Sequence, residues 1–123
     1  PMFFLTKEFT FDAAHNLTSY HGKCEKLHGH TYKLQITVAG EKNQEDMVVD
    51  FLQLKDLVKS EVLNLLDHAY INDVIPQPTA ENIAEWIFKR LASRVEGNQY
   101  ELYEVAVWET PTSFVRYRER AVW

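Results

Sequence analysis

The stretch HGHTYKLQITVAG, residues 28–40, decides how this chain is read. Tyr32, Leu34, Ile36 and Val38 place apolar side chains on every second position, so residues 31–40 are expected to form a half-buried strand. His30 lies on the same alternation, and the run that would face a core therefore opens with an imidazole. Upstream, FFLTKEFTFDAAH repeats the pattern, with Phe9, Phe11 and Ala13 at even spacing and His15 continuing them. Residues 3–14 are thus a second expected strand. Residues two apart in a strand share a face, so His28 and His30 can hold one ion together while His15 arrives from the neighbouring strand. Three neutral imidazoles suit Zn2+, and a three-ligand set leaves a coordination position for water or substrate, where a structural site is usually closed by four protein ligands.

His-Gly-His can also be a turn with two solvated rings. The flanking strands argue against that, because an apolar face is a costly place for an imidazole without a partner. His21, beside Gly22 in the polar loop between the two strands, falls on neither run and reads as an ordinary surface histidine.

Farther along, Asp50 in VVDFLQLK is a plausible helix N-cap with Gln53 three residues on. Phe51, Leu54, Val58, Val62 and Leu65 then recur at helical spacing until the segment ends near LDH. Residues 72–78 form a proline-punctuated loop. Thr79 can cap a second helix that has Glu81 in its first turn, with Ile83, Ile87, Leu91 and Val95 as its buried stripe and Gly97 as its stop. Two closing strands are expected at residues 102–109 and 113–117, joined by a Thr-Pro-Thr turn. The order is ββααββ, which predicts an α+β fold: a four-stranded antiparallel sheet with both helices on one face. Four strands leave open edges, and pairing edges between subunits is one way to cover them, so a homo-oligomer is expected.

The chain has 123 residues, which predicts one domain spanning 1–123. Its composition, 46% apolar and 25% charged, is that of a soluble globular protein. A formal charge of −5 and the absence of a Lys/Arg run argue against nucleic acid or a membrane surface as the main partner. One cysteine forms no internal disulfide, and the N-terminus lacks a basic-then-apolar secretory pattern, so the reducing cytoplasm is the expected compartment.

Four further residues carry chemistry. Cys24 stands four residues before His28: as a fourth ligand it would close the metal site, whereas free in the field of the metal its lowered pKa would make it a base or nucleophile. A small inert side chain is the remaining reading. Asp67 and His68 can pair, the carboxylate fixing the imidazole tautomer in an acid/base relay, although a histidine at a helix C-terminus is also favourable with the helix dipole. Glu109 continues the alternation of Val105 and Val107, which puts a carboxylate on an apolar strand face. Either it faces water at the strand end or it pairs with a heterocycle that presents two adjacent N–H donors.

Taken together, FDAAH, CEKLHGHTY, VDFLQLK, LDHAYIN, PTAEN and WET resemble, in order and approximate spacing, the 6-pyruvoyl tetrahydropterin synthase and 6-carboxytetrahydropterin synthase family, along nearly the whole chain. The resemblance implies the tunnelling fold, with subunits joining their sheets into a barrel, usually a hexamer, and active sites between subunits. It implies 7,8-dihydroneopterin triphosphate as substrate and catalytic zinc on His15, His28 and His30. Cys24 would be the proton-abstracting base, Asp67 with His68 the relay, and Glu109 the catalytic-site anchor of the pterin. The short insert before HGH, with Cys24 close to the first histidine of that motif, looks more like the carboxy type, which also breaks a C–C bond, releases acetaldehyde and serves queuosine synthesis. The pyruvoyl type, a zinc hydrolase and a non-catalytic pterin- or purine-binding module are the alternatives.

Overall fold

A computed structural model describes residues 2–18, 21 and 25–119 of the chain. Strands β1 (Phe3–His15) and β2 (His28–Gly40) pair antiparallel along their full length, from Phe3 opposite Gly40 to His15 opposite His28. The second strand starts three residues earlier than its apolar alternation suggests, because His28 and Gly29 complete the ladder with the end of β1. A helical stretch follows, made of α1 (Phe51–Val58), a π-helical turn (Lys59–Leu63) and a last turn, α2 (Asn64–Leu66). Then come β3 (Ala69–Tyr70), a 3-10 turn (Ile71–Asp73), α3 (Ala80–Val95), β4 (Tyr100–Thr110) and β5 (Ser113–Tyr117).

The sheet has five strands in the order β3-β1-β2-β4-β5 and is mixed. This corrects the expected four-stranded antiparallel sheet: Ala69 and Tyr70 lie parallel to Ala13 and Ala14. A two-residue strand has no alternation of its own to reveal it; only its docking on the edge of β1 defines it. The α+β class and the placement of the helices on one face stand as expected. Phe11, Leu34, Ile36, Val38, Val105 and Val107 from that face share one buried cluster with the helices. The opposite face carries polar ladders such as Thr6 Oγ1 to Thr37 Oγ1, 2.7 Å, and Lys33 Nζ to Glu8, 3.4 Å.

Local signals explain the helices. The Asp50 carboxylate accepts from the Leu52 N–H at 2.8 Å, and Thr79 Oγ1 accepts from the Asn82 N–H at 3.1 Å, each satisfying a donor that the first turn leaves open. Ile83, Ile87, Leu91 and Val95 are buried as their spacing requires. Gly97 takes φ +85°, a left-handed conformation that glycine adopts without a Cβ clash, and ends the helix there.

The first helical stretch departs from its pattern at both ends. Leu54, Val58 and Val62 are buried, but Phe51 is 51% and Leu65 38% exposed, and Leu66 is fully buried in place of Leu65. The cause at the C-terminal end is the π turn: the Asn64 N–H reaches back to the Lys59 carbonyl, so this turn is wider than an α turn and the inward face moves one residue on. No helix among the described residues is long and apolar enough to cross a membrane.

Candidate metal and substrate site

Because His15 and His28 are directly paired across β1 and β2, and Ala13 pairs with His30, the three imidazoles converge at one end of the hairpin. Their ring centroids are 4.6 Å (His15–His28), 5.1 Å (His15–His30) and 4.9 Å (His28–His30) apart. His15 is only 2% exposed. Its Nδ1 donates to the Pro78 carbonyl at 2.8 Å, and His28 Nδ1 donates to the Lys26 carbonyl at 2.9 Å. Those two bonds fix both tautomers, since a carbonyl can only accept. In the neutral rings the Nε2 atoms of His15 and His28 are then the ones that carry the lone pairs, and they face each other at 3.0 Å. Two neutral rings so disposed cannot hydrogen-bond to one another; facing lone pairs at that distance call for a cation between them.

His30 Nε2 is buried without a hydrogen-bond partner. Burial holds this ring below the ordinary imidazole pKa, with the Glu109 carboxylate opposing that shift, so His30 favours its neutral, metal-binding form. Glu109 belongs to the same cluster: its Oε1 lies 3.4 Å from His30 Nε2, and one ligand atom from each of His15, His28, His30 and Glu109 falls within 4.8 Å of all the others. Strand pairing brings it there. Lys33 pairs with Trp108, so the next residue along β4 arrives beside the histidine end of β2. This cluster of three imidazoles and a carboxylate is suited to a divalent metal ion.

Beneath it lies Tyr32, fully buried, its ring 5.9 Å from that of His15 and 5.6 Å from that of His30. Burial, with the nearby Glu109 and Glu25 carboxylates, pushes its phenol well above the ordinary range, so it stays neutral and can only be a donor or acceptor of hydrogen bonds.

Asp67 and His68 make a separate pair. Asp67 Oδ1 lies 3.0 Å from His68 Nδ1 and also accepts from the Asp12 N–H at 3.0 Å, while the His68 N–H donates to the Asp12 carbonyl at 2.6 Å. The backbone of β1 therefore holds the pair at the sheet edge, with His68 in a left-handed turn at φ 58°. The side chains of His68 and Asp67 are 78% and 41% exposed. One surface depression is lined by both His68 and His30. Cys24 lies outside the described residues.

Several residues that hold this site escaped the sequence. Asn72 accepts from the Asn16 N–H at 3.1 Å and donates to the Asn16 carbonyl at 2.8 Å, and Tyr70 OH also bonds the Asn16 side chain. The segment after β3 thus clamps the residue that follows His15. The signal lay in LDHAYIN, but nothing local pairs an asparagine with a backbone 56 residues away. The carbonyl of Pro78, which orients His15, carries no side-chain signature at all.

A sequence profile described as 6-pyruvoyl tetrahydropterin synthase matches residues 4–120. The 6-carboxy-5,6,7,8-tetrahydropterin synthase of Haemophilus influenzae is 40% identical over 144 aligned positions, which cover 96% of this chain and 100% of the relative. The dihydroneopterin monophosphate aldolase of Pyrococcus furiosus is 40% identical over 100 positions, 81% of this chain and 83% of the relative. Among solved structures, the 6-pyruvoyl tetrahydropterin synthase of Caenorhabditis elegans superposes with a TM-score of 0.82 at 26% identity, covering 98% of this chain and 97% of the other. The profile match over nearly the whole chain and the full-length relative show that the chain belongs to the 6-pyruvoyl tetrahydropterin synthase family.

Proposed function

We propose that this chain is a zinc-dependent lyase that converts 7,8-dihydroneopterin triphosphate to 6-carboxy-5,6,7,8-tetrahydropterin, releasing acetaldehyde and triphosphate, in the branch that leads to queuosine. The observation that carries the reading is the convergence of His15, His28 and His30 on facing, unprotonated nitrogens beside Glu109. The full-length similarity to a 6-carboxy-5,6,7,8-tetrahydropterin synthase supports the choice of product.

His15, His28 and His30 would hold the metal. When bound, zinc supplies Lewis-acid polarisation of the substrate's side-chain oxygens. The protein's own groups do the rest. The Glu109 carboxylate accepts the two adjacent N–H groups of the aminopyrimidine edge and fixes the ring. Cys24, as thiolate, takes a C–H proton from the side chain. His68 has one nitrogen against Asp67, which leaves the other free to give or take a proton. Residues 1–123 act as one pterin synthase domain in the cytoplasm. Its subunits join through the open edges at β3 and β5 into a barrel, a hexamer, that brings the exposed Asp67–His68 pair to a neighbour's site.

The aldolase relative favours a second reading, in which C–C cleavage acts on a monophosphate and no triphosphate is expelled. Mass spectrometry of the pterin product, together with a coupled acetaldehyde assay, separates the readings. A carboxylated pterin with equimolar acetaldehyde and triphosphate is the expected result. Triphosphate release with three side-chain carbons retained makes the enzyme a pyruvoyl-type synthase, and turnover of dihydroneopterin monophosphate alone makes it an aldolase.

A further inference from the structure

We infer that Glu109 is the fourth metal ligand while the site holds no pterin, and that it leaves the metal when it pairs with the pterin ring, so that ring recognition opens the coordination position the substrate side chain needs. The inference deepens the proposed function and rests on its assignment of Glu109 to the pterin.

Geometry is the first support. In a tetrahedral zinc site with N and O ligands near 2.0–2.1 Å, neighbouring donor atoms are about 3.4 Å apart. Glu109 Oε1 stands 3.4 Å from His30 Nε2, and His15 Nε2 stands 3.0 Å from His28 Nε2. All four donors lie within 4.8 Å of one another. The carboxylate thus already sits at the distance from His30 that a shared ion would require, with the other two imidazole donors inside the same 4.8 Å cluster.

The second support is the accounting of partners. His30 Nε2 is buried with no hydrogen bond, and among the described residues the only ion-pair partner of Glu109 is that ring. A neutral imidazole lone pair and a carboxylate repel unless a cation or proton stands between them. With His15 and His28 presenting two more lone pairs, a divalent ion satisfies all four groups at once.

The third support is chemical. A carboxylate has two oxygens, and bidentate pairing with the aminopyrimidine edge uses both. Glu109 cannot hold the ring in that manner and also remain on the metal at full strength. Its side chain is 32% exposed, so the ring can reach it from solvent. The resting site is then closed by four protein ligands, as structural zinc sites are, and becomes a three-histidine site with an open position when pterin binds.

Cobalt-substituted holoenzyme tests this, because the visible spectrum of Co2+ reports ligand number and type. Loss of the carboxylate in Glu109→Ala is expected to change the spectrum of the pterin-free protein and to weaken zinc, measured by competition with a chromophoric chelator, by about tenfold or more. Saturating the wild-type protein with pterin itself, which has no side chain to offer the metal, is expected to shift the cobalt spectrum towards that of the pterin-free alanine variant. Unchanged zinc affinity and an unchanged spectrum in Glu109→Ala overturn the inference; if that variant also loses pterin binding, the proposed function stands without it. A wild-type cobalt spectrum indifferent to saturating pterin overturns the exchange even where the variant fails to fold.

Discussion

The histidine cluster and the Asp67–His68 pair both hang from the last four residues of β1, yet they use that strand in opposite ways. The cluster takes its inward face: His15 is 2% exposed and has its tautomer fixed by a backbone carbonyl. The pair takes its edge: the backbone of Asp12 bonds both residues and leaves the His68 side chain 78% exposed. A metal ligand works as a neutral, oriented lone pair shielded from competing water. A group that exchanges protons with a bound molecule must be reachable. One strand can present both kinds of group because side chains alternate across it while its edge stays open for pairing.

Because they use the strand differently, the two groups are expected to fail differently. The largest expected effect is at the cluster: His28→Ala should lose most of its zinc, and turnover with it, while far-UV circular dichroism stays native. Undiminished zinc in that variant would remove the cluster from the metal. Asp67→Asn should keep one zinc per chain and lose turnover by about two to four orders of magnitude, the range for acid/base groups. Metal analysis beside the rate checks this, and a variant that loses zinc as well as rate would erase the distinction between the regions.

Acid should also separate them. Metal-binding imidazoles must be neutral, so zinc affinity is expected to fall as pH is lowered, which dialysis followed by metal analysis checks. His30 adds to stability in the same direction. Its pKa in the folded chain lies below the unfolded value because of burial, so its contribution is present above the ordinary imidazole value and is lost as pH falls through the lowered one. Metal-free protein should therefore melt at a lower temperature at pH 5 than at pH 7. A flat profile would mean that burial does not set the state of this ring.

The smallest expected effects test what places the exposed pair. The π turn makes Leu66 the buried residue immediately before Asp67. Leu66→Ala should cost about 2–5 kcal/mol in denaturant unfolding. Leu65→Ala, on the exposed side, should stay within about 0.5 kcal/mol. Equal losses would show that the last turn does not hold a single phase in solution.

Much of the candidate site's geometry was legible in the chain. His15, His28 and His30 fall on strand alternations that any reader can count, and Thr79, Ile83, Ile87, Leu91 and Val95 announce α3 equally well, because propensity, capping and period are local properties. Leu65 misled for a reason of the same kind: a helical period assumes uniform turns, and a π turn breaks the count without a residue type that marks it.

By itself the sequence determined which side chains share a face of each long strand and which residues open and close α3, since these depend on neighbours a few positions away. Tertiary structure alone decided that Ala69 and Tyr70 form a fifth strand, that Asn72 clamps Asn16, and that Glu109 stands 3.4 Å from His30 across 79 positions of chain. The physical reason is range. Alternation fixes the direction of a side chain, whereas its partner is fixed by strand order and register, which are settled when distant segments pack into one core.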